Sequence, residues 1–545
     1  MTSEPARVAL PAAFRVQCDP GLAVLAPAPA AAADGGIVLL GGAPLRLMAL
    51  SAAGARVFAA LRGGATVGAA GPGAGLLARR LVDAGLVHPL PPRRTAPVDT
   101  PTADAAVAGA AEPAGVAGAA GVAGTGGGSE VAGAGGVTAV IPVRDGAGRI
   151  GALVGALRGQ CTEVVVVDDG SRDGTSAEAT AAGARVIRHD RARGPAAART
   201  AGARAARTEL IVFCDCDVRP TADWLDRLIA HLADPAVVAV APRVASPVPP
   251  ASRAGLRERY EAGRSPLDLG PWPAAVRPGS RVSYVPSAAL LLRRAHAAFD
   301  PALRFGEDVD LVWRLVGAGH SVRYEPTAVV HHDPRPTWWA WARQRHGYGS
   351  SAAELARRHP GPLRPARGAA SAVAAVGLMA LRRDRGGAAV VGAVAAGSVA
   401  LTTARLARRL GRTDRPGRAA LALTVRGRRH ALLAAAETSR RTWLPLLACA
   451  GTPGRLVLAA ATLPLAHEWW VARPAVGLVP YLLLRVADDA AYCAGVWSGC
   501  LLRGHLEPLL PVAPSVPRRG QAGGRGGGEI GAATSPGRAR LPSTV

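Results

Sequence analysis

The sequence predicts an α/β fold with a Rossmann-like central sheet, preceded by a small module and followed by a helical region. Two observations predict the sheet. Short runs of β-branched residues, VTAVIPV at 137–143 and EVVVVDD at 163–169, alternate with helical stretches, which is the pattern of parallel strands joined by crossover helices. Aspartates follow two of the strands, and ligands of open α/β sheets bind at the carboxyl ends of the strands.

Length and charge limit the class of protein. A chain of 545 residues is long enough for several domains, at roughly 100 to 200 residues per domain. The formal net charge of +25 attracts anions. Because the sequence has no zinc-finger spacing, no aromatic ribonucleoprotein motif and no basic zipper, we expect no nucleic-acid partner.

The cysteines and the first residues bear on location. The 7 cysteines are an odd number scattered over the chain, which favours a reducing compartment. The opening MTSEPARVALPAAF lacks the basic start and apolar run of a secretory signal. We therefore expect no cleaved signal, and an active site in the cytoplasm or on the cytoplasmic face of the cell membrane.

Composition divides the chain into five segments. Residues 1–95 contain the helical patterns LSAAGARVFAALRGG and LLARRLVDAGLVHPL, which predict a compact helical or winged module. Residues 96–136 are mostly Ala, Gly and Pro and predict a flexible linker. The α/β core follows at 137–360, then an Ala-, Leu- and Arg-rich helical region at 361–515 and a tail at 516–545 that is predicted to be disordered.

The elements of the α/β core alternate in a regular order. The first strand is followed by a helix ending near residue 157, and the second by a helix over 174–182. Strand ARVIRH, helix PAAARTAGARAA and strand ELIVFCDCD come next. This order predicts a parallel sheet with crossover helices.

The helical region carries weak membrane signals. Apolar stretches occur at 387–406, 456–465 and 475–484, but a spanning helix needs about 20 apolar residues and only the first approaches that length. The alternatives are packed helices without membrane contact and Arg-flanked helices that touch a membrane peripherally. We expect membrane contact without assigning an orientation.

The strand at 163–169 ends in Asp168-Asp169-Gly170-Ser171. At this end of the sheet, Asp169 is placed to meet a base or ribose. The alternative is a turn that caps the following helix, because Ser and Asp are favoured caps.

Two carboxylates with the spacing of a metal site follow the strand ELIVFC. Asp215 and Asp217 are two residues apart, so they project to the same side if the strand stays extended. Two carboxylates suit Mg²⁺ or Mn²⁺, which can also bind the phosphates of a nucleotide. Zinc on Cys214 and Cys216 is the alternative, but no second ligand pair lies nearby in the sequence, and we expect these cysteines to be small core residues.

A helix N-terminus at RARGPAAARTAG is suited to phosphate. Gly194 precedes this helix, and Arg199 in its second turn could reach a ligand or a structural carboxylate. A solvated arginine is the alternative.

A third acidic cluster, FGEDVDL, contains Glu307, Asp308 and Asp310. A carboxylate here could take the proton of an acceptor hydroxyl, and one-step displacement with such a base inverts configuration. We choose Asp308 as the base, with Glu307 as a further site residue. The alternative is that all three cap a helix.

An aromatic and histidine-rich segment follows at 331–348. Trp338 and Trp341 could stack on a sugar ring, or be core or membrane-interface residues. His332 could be a third metal contact, although a solvated or capping histidine is the alternative.

Together these motifs resemble those of the family 2 glycosyltransferases with the GT-A fold. The matching stretches are VTAVIPVRD, VVVDDGSRDGT, RGPAAARTAGA, FCDCD and GEDVDL, in this order within 137–349. The resemblance implies a metal-dependent, inverting hexosyl transfer. It assigns nucleotide-sugar binding, metal binding by the two aspartates of FCDCD, and base catalysis to these residues: Pro142, Asp169, Arg199, Asp215, Asp217 and Asp308.

The sequence departs from the family pattern at two places. Arg144 and Asp145 stand where Tyr-Asn is usual, and Thr200 stands where Asn is usual. The Gln-x-x-Arg-Trp signature of processive synthases is not met at 344–348, so extrusion of a polymer is not expected.

Within the family, the whole chain is similar to the glycosyltransferases of the mycofactocin system. The first module resembles the PqqD-like peptide-binding domains, over ALSAAGARVFAAL to LVDAGLVHP, and WWAWARQRHGYGSSAAELARRHPG follows the core. This resemblance implies transfer of glucose from UDP-glucose to pre-mycofactocin, the precursor of a redox cofactor made from a ribosomal peptide, and growth of a β-1,4-glucan chain. It also implies a peptide or another biosynthetic protein as a partner of the first module.

Two other functions stay open from the sequence. One is a cell-envelope glycosyltransferase with a lipid or polysaccharide acceptor, which the apolar stretches would also suit. The other is a noncatalytic, membrane-associated peptide-binding protein with a degenerate core. The presence of Asp215, Asp217 and Asp308 argues against the second.

Overall fold

The computed structural model describes residues 8–25, 35–42, 45–92, 136–247, 254–365, 385–411 and 413–511. The predicted tail at 516–545 lies outside these residues. So does the predicted linker at 96–136, apart from Gly136.

Short strands and two helices form the N-terminal module. β1 pairs with β5, and β2, β3 and β4 form an antiparallel meander. Phe14, Phe58 and Leu81 belong to its core. The module has more strands than the helical patterns indicate, because strands of three to five residues show too little alternation in the sequence. The bounds are β1 (Arg15–Cys18), β2 (Ala23–Leu25), β3 (Ile37–Gly41), β4 (Arg46–Leu50), α1 (Ala52–Arg62), α2 (Ala74–Asp83) and β5 (Val87–Leu90).

A sheet of 9 strands forms the centre of the α/β core. Its strands are β6 (Val137–Val143), β7 (Glu163–Asp168), β8 (Arg185–Arg188), β9 (Leu210–Cys214), β10 (Val218–Pro220), β11 (Val237–Ala245), β12 (Ala274–Ala275), β13 (Ala289–Arg293) and β14 (Ser321–His332). The order is β10-β14-β11-β13-β9-β6-β7-β8, with β12 beside β14.

The strand directions confirm the predicted parallel sheet for its first part only. β6 is parallel to β7 and β9, and β7 is parallel to β8. β13 is antiparallel to both of its neighbours, β9 and β11, because the chain leaves β11 and enters β13 at the same end of the sheet. The sheet is therefore mixed.

Helices cover both faces of the sheet. One apolar layer joins the sheet to α3 (Ile150–Arg158), α4 (Thr175–Ala181) and α6 (Trp224–His231), and the other joins it to α5 (Pro195–Ala205) and α8 (Glu307–Gly317). Along β6, Ala139 and Ile141 belong to the first layer and Val140 to the second. This alternation with a period of two residues explains why the strand is apolar throughout.

In the described part of the chain, seven helices follow the sheet, and one earlier helix packs with them. They are α7 (Leu256–Arg264), which comes before α8 in the chain, and α9 (Trp338–Ser350), α10 (Ala352–Arg358), α11 (Arg385–Arg409), α12 (Pro416–Arg441), α13 (Leu444–Cys449), α14 (Gly451–Ala472) and α15 (Leu478–Arg503). Among the helices of the described residues, none combines the length and the apolar character that crossing a membrane requires. The stretch at 387–406, which lies in α11, is therefore not supported as a membrane span.

The helices α9 and α15 cross with their backbones in contact at a glycine seam, formed by Gly349, Gly495 and Gly499. A Cβ atom on any of the three would lie between 2.0 and 2.4 Å from a carbonyl oxygen of the facing helix. No side chain fits at such a distance, so the seam fixes α15 against the helix that leaves the core.

A buried ion pair joins the N-terminal module to the core. Arg79 of α2 donates from Nη2 to Oδ1 of Asp234 at 2.6 Å, and both side chains are almost completely buried. Because breaking a buried pair leaves an uncompensated charge, this contact holds the module in place.

Candidate active site

A cleft of about 1250 Å³ opens at the carboxyl ends of β6, β7 and β9 and extends to the C-terminal helices. We call one wall the strand-end side, formed by Asp169, Asp215, Asp217 and His332. We call a second group of lining residues the helical side: Tyr284, Tyr348, Glu437, Arg441 and Tyr492. Pro142, Arg199, Glu307 and Asp308 also line the cleft, so the sequence-predicted residues meet here, except the two tryptophans.

The adjacent carboxylates of Asp168 and Asp169 have different structural roles. Asp168 accepts hydrogen bonds from the Ser171 amide and the Ser176 hydroxyl, so it forms the turn that the sequence offers as an alternative. Asp169 turns to the cleft and accepts from the amides of Arg193 and Gly194, each at 2.8 Å. It therefore shapes the loop at the start of α5.

Arg199 is a buried bridge between two motifs. Its Nη2 donates to Oδ1 of Asp215 and its Nη1 to Oε1 of Glu307, both at 2.7 Å. Of the alternatives from the sequence, the structure favours the structural carboxylate. One planar guanidinium fixes the distance between its two partners, so the start of α8 is held in register with the end of β9.

Asp217 meets His332 at the end of β14. The strand β9 ends at Cys214 and the chain turns at residues 216–217, so the assumption of an extended strand through Asp217 does not hold. Asp217 lines the same cleft as Asp215 because β10 turns back beside β14. His332 Nε2 lies 3.3 Å from Oδ1 of Asp217, and Arg335 Nη1 lies 3.2 Å from Oδ2.

The electrostatics of Asp217 favour a charged carboxylate. Burial alone would raise its pKa, but the contact with His332 and the charge of Arg335 outweigh burial and lower the pKa of Asp217 to about 2. An ionised carboxylate is the form that binds a cation.

A divalent metal fits this donor set with help from a ligand. In the part of the chain that the structure describes, no three His, Cys, Asp or Glu side chains are grouped closely enough to hold an ion alone. Asp217 Oδ1 and His332 Nε2 lie 3.3 Å apart, and Asp215, about a third exposed, lines the same cleft. Mg²⁺ is commonly held by one or two carboxylates plus phosphates and water, and this arrangement leaves room for them.

Asp308 lies in the first turn of α8, buried beside Glu307. Its Oδ1 accepts from the Val309 amide at 2.8 Å and its Oδ2 from the Ser287 amide at 3.3 Å. Burial raises the pKa of Asp308, and burial together with the charge of Asp308 raises the pKa of Glu307. A carboxyl with a raised pKa can take a proton from a hydroxyl more readily than an ordinary aspartate can.

The two tryptophans are not among the residues that line the cleft, and for Trp341 the structure favours the alternative of a core residue. Trp341 is 3% exposed and donates from Nε1 to Glu261 at 2.8 Å. It packs with Tyr260 and Tyr481. Trp338 is exposed, packs edge-on against Trp341 and lies under the guanidinium of Arg257.

The cysteines and the departures from the family pattern have local explanations. Cys214 is buried in the apolar layer and Cys216 packs against it, as expected for core residues. Asp145 has a φ of 54°, a conformation that Asn and Asp tolerate better than other side chains. Thr200 donates to the Phe299 carbonyl at 3.2 Å, so it serves packing in α5.

Little in the sequence indicates the residues of the helical side. Glu437, Arg441 and Tyr492 lie on helices without a motif, far along the chain from the core. Tyr284 lies in a segment with no regular pattern. Two features of the sequence could have indicated further site residues. The aromatic segment ends at Tyr348, and Arg335 follows closely after His-His-Asp.

Comparison with known proteins agrees with this geometry. The model of the glycosyl transferase family 2 matches residues 138–296. The pre-mycofactocin glycosyltransferase of Mycobacterium tuberculosis is 35% identical over 523 residues, 92% of this chain and 98% of that protein. The succinoglycan biosynthesis protein ExoO of Rhizobium meliloti is 34% identical over 189 residues, covering 32% of this chain and 54% of its own.

A solved structure gives a more distant similarity. The mannosyltransferase PcManGT from Pyrobaculum calidifontis, in complex with GDP-Man and Mn²⁺, is 18% identical, with 67% of this chain and 86% of that chain covered and a TM-score of 0.36. The full-length similarity to the mycobacterial protein is the informative one. By that similarity, the chain belongs to glycosyl transferase family 2 and, within it, to the family of the pre-mycofactocin glycosyltransferases.

Proposed function

We propose that the protein is an inverting glycosyltransferase that transfers glucose from UDP-glucose to pre-mycofactocin and extends a β-1,4-glucan on it. The observation that carries the proposal is the bridge by Arg199. It joins Asp215, at the predicted metal motif, to Glu307, the neighbour of the predicted base. A metal-assisted leaving group and a base must act on opposite faces of one sugar carbon, and a fixed bridge between their supports provides that geometry.

The chemistry assigned to Asp308 is proton abstraction. In its ionised form it takes the proton of an acceptor hydroxyl, whose oxygen attacks the anomeric carbon of the donor. The bond from that carbon to the diphosphate oxygen breaks, and UDP leaves with the bonding electron pair. Attack from the face opposite the leaving group inverts the configuration at that carbon.

The residues that would hold a divalent metal are Asp217 and His332, with Asp215 beside them. When bound, Mg²⁺ or Mn²⁺ neutralises charge that develops on the leaving diphosphate. Arg335, next to Asp217, adds a fixed positive charge on the same wall. Asp169 and the loop that it shapes, together with Pro142, are assigned to the nucleoside and sugar of the donor.

The choice of donor and acceptor rests on the family. The acceptor follows from the name of the mycobacterial relative, and glucose, UDP and the linkage follow from the family resemblance. The seven cysteines of the described residues are all free thiols, which supports a cytoplasmic site.

We also infer that the N-terminal module contacts the peptide part of the acceptor. Among the described strands, β4 forms one edge of the meander β2-β3-β4, and peptides commonly add to such an edge by main-chain hydrogen bonds. The buried pair of Arg79 and Asp234 would keep that edge at a constant distance from the core.

The decisive experiment measures transfer from radiolabelled UDP-glucose with Mn²⁺ to purified pre-mycofactocin. A lipid extract serves as a competing acceptor, and the Asp308→Asn variant serves as the control. Label on pre-mycofactocin supports the proposal. Label only in lipid would support glycosyl transfer but assign it to an acceptor of the cell envelope. No transfer to either acceptor would overturn the proposal.

A further inference from the structure

The cleft has room for a second ligand. Pockets for ligands of drug size measure about 300 to 1000 Å³, and this cleft measures about 1250 Å³. The groups suited to a metal and a diphosphate stand on the strand-end side. The residues of the helical side and Asp308 line the same space.

Three tyrosines of the helical side have hydroxyl groups without a protein partner. Among the described residues, none makes a hydrogen bond to the hydroxyl of Tyr284, Tyr348 or Tyr492. Elsewhere, tyrosine hydroxyls donate to protein acceptors, as in Tyr260, Tyr324 and Tyr481. A half-buried ring whose hydroxyl is unused offers an apolar face and a polar tip to a ligand.

A charged pair stands beside these rings. Arg441 Nη1 lies 3.2 Å from Oε1 of Glu437, and the guanidinium lies over the ring of Tyr492, 4.0 Å from its centroid. Glu437 is more than half exposed. Within the described structure Arg441 donates no other hydrogen bond, although its Nε lies 3.7 Å from Oδ1 of the buried Asp489. A carboxylate that accepts and a guanidinium that donates, side by side, can bind neighbouring hydroxyl groups.

Tyr284 lines the same cleft as Asp308, Arg441 and Tyr492. Burial raises the pKa of its hydroxyl, and the charge of Asp308 raises it further. The helical side and the residue assigned as the base therefore share one space. A ring bound against the tyrosines would present a hydroxyl to Asp308.

We propose that the helical side is a subsite for the pyranose ring of a neutral saccharide acceptor, with Glu437, Arg441 and Tyr492 as its positioning residues. The proposal rests on the proposed function and specifies the chemistry of its acceptor. Aromatic faces pack on the apolar face of a sugar ring, and a paired carboxylate and guanidinium match hydroxyl groups without a net charge. A phosphate would be expected against unpaired cations instead.

The glycine seam keeps this subsite in a fixed position. A Cβ on Gly349 of α9 would lie 2.1 Å from the carbonyl oxygen of Tyr492, the subsite residue of α15. Because the two backbones touch at Tyr492 itself, that residue cannot move independently of α9. The subsite is therefore preorganised, which lowers the entropic cost of binding.

The first test measures binding of cellobiose, a neutral disaccharide, to the full chain without metal or donor. Saturation-transfer NMR and titration would be done on the wild type, Tyr492→Ala and Glu437→Gln, with Arg429→Gln as the matched control, because Arg429 is exposed on the same helix and does not line the cleft. We expect affinity to fall about tenfold in the first two variants, as for loss of a charge-assisted hydrogen bond or a ring contact. Unchanged affinity in both would overturn the proposal, as would inorganic phosphate displacing cellobiose from the wild type.

The second test separates acceptor from donor in steady-state kinetics. We expect KM for the acceptor to rise about tenfold in Glu437→Gln, with KM for UDP-glucose and the affinity for UDP unchanged. A rise in KM for UDP-glucose instead would assign these residues to the donor and overturn the subsite. If the wild type binds cellobiose through Tyr492 but transfers no glucose, the proposed function fails and the subsite stands.

Discussion

The two sides of the cleft are held in different ways. On the strand-end side each carboxylate has a protein partner: backbone amides for Asp169, Arg199 for Asp215, and His332 with Arg335 for Asp217. On the helical side, Glu437 is largely exposed, and the tyrosine hydroxyls are unused within the described residues. The difference indicates that charge is organised in advance on one side, while the other offers surface for recognition.

The two sides also differ in the energetic cost of leaving a polar group without a protein partner. Buried charges are destabilising unless each is compensated, so the strand-end side depends on complete pairing. Half-buried tyrosines carry no such requirement, because solvent can satisfy their hydroxyl groups. We therefore expect changes on the strand-end side to affect turnover and folding, and changes on the helical side to affect mainly acceptor affinity.

The largest effect is expected for Asp217→Ala. Loss of the carboxylate would remove the principal donor of the proposed metal site, and metal stabilisation of a transition state amounts to several kcal/mol, or roughly 10⁴-fold in rate. The measurement is the Mn²⁺ dependence of transfer, with far-UV circular dichroism to show that the fold is retained.

The control for Asp217→Ala is Asp333→Ala. Asp333 lies nearby on the surface, paired with Arg219, and its side chain is about half exposed. Full Mn²⁺-dependent activity in Asp217→Ala would remove Asp217 from the metal site.

A slightly smaller loss is expected for Asp308→Asn. General-base catalysis contributes roughly 10²- to 10⁴-fold, so transfer should fall about 10³-fold while UDP-glucose still binds. Turnover and donor affinity would be measured together, with Asp226→Asn as control, since Asp226 is an exposed first-turn aspartate of another helix. Retained transfer would exclude Asp308 as the base.

Arg199→Met tests how far the strand-end side depends on pairing. The substitution leaves Asp215 and Glu307 without their shared partner, and we expect a loss of about 3–5 kcal/mol in the free energy of unfolding. Urea unfolding would measure it, against Arg204→Met, an exposed arginine on the same helix. Equal stability of the two variants would show that the bridge is dispensable.

The pH dependence of turnover is expected to be the smallest effect. Burial raises the pKa of Asp308, and a base acts only when ionised, so activity is present above that pKa and lost as the pH falls through it. The acid limb of the pH–rate profile should therefore lie above the ordinary aspartate pKa of about 3.9. Below that limb, activity should fall about tenfold per pH unit.

The measurement for that limb is kcat/KM against pH at saturating Mn²⁺. Asp308→Asn serves as the control, because its residual rate should lack the limb. A limb at the ordinary aspartate value would contradict the raised pKa.

The strands and carboxylates that could be predicted from the sequence are those that depend on neighbouring residues in the chain. The bounds of β6 and β7 follow from their β-branched runs, and Asp169, Asp215 and Asp308 lie where strand ends and a helix start placed them. The antiparallel β13 could not be anticipated, because its direction depends on how the chain returns after residue 245 and not on its own residues.

The helical side could not be predicted for a related reason. Tyr492 and Tyr284 are separated by about two hundred residues in the sequence, and only packing brings them together. Trp341 illustrates the opposite case: its neighbours in the sequence indicated a binding surface, but the buried carboxylate of Glu261 holds it inside. Periodicity and motifs do not report contacts of this kind.

The glycine seam has a consequence for how chains of this family can be recombined. Because Gly495 and Gly499 approach the backbone of α9 too closely for a Cβ atom to fit between them, we expect a C-terminal half taken from a relative to fit this core only if α9 came with it. The natural crossover point of a working chimera therefore lies before Trp338, not at the end of the matched family segment at residue 296. The proposed positioning residues Glu437, Arg441 and Tyr492 would then come from the transplanted piece, and the strand-end side, Tyr284 and Asp308 from the original core.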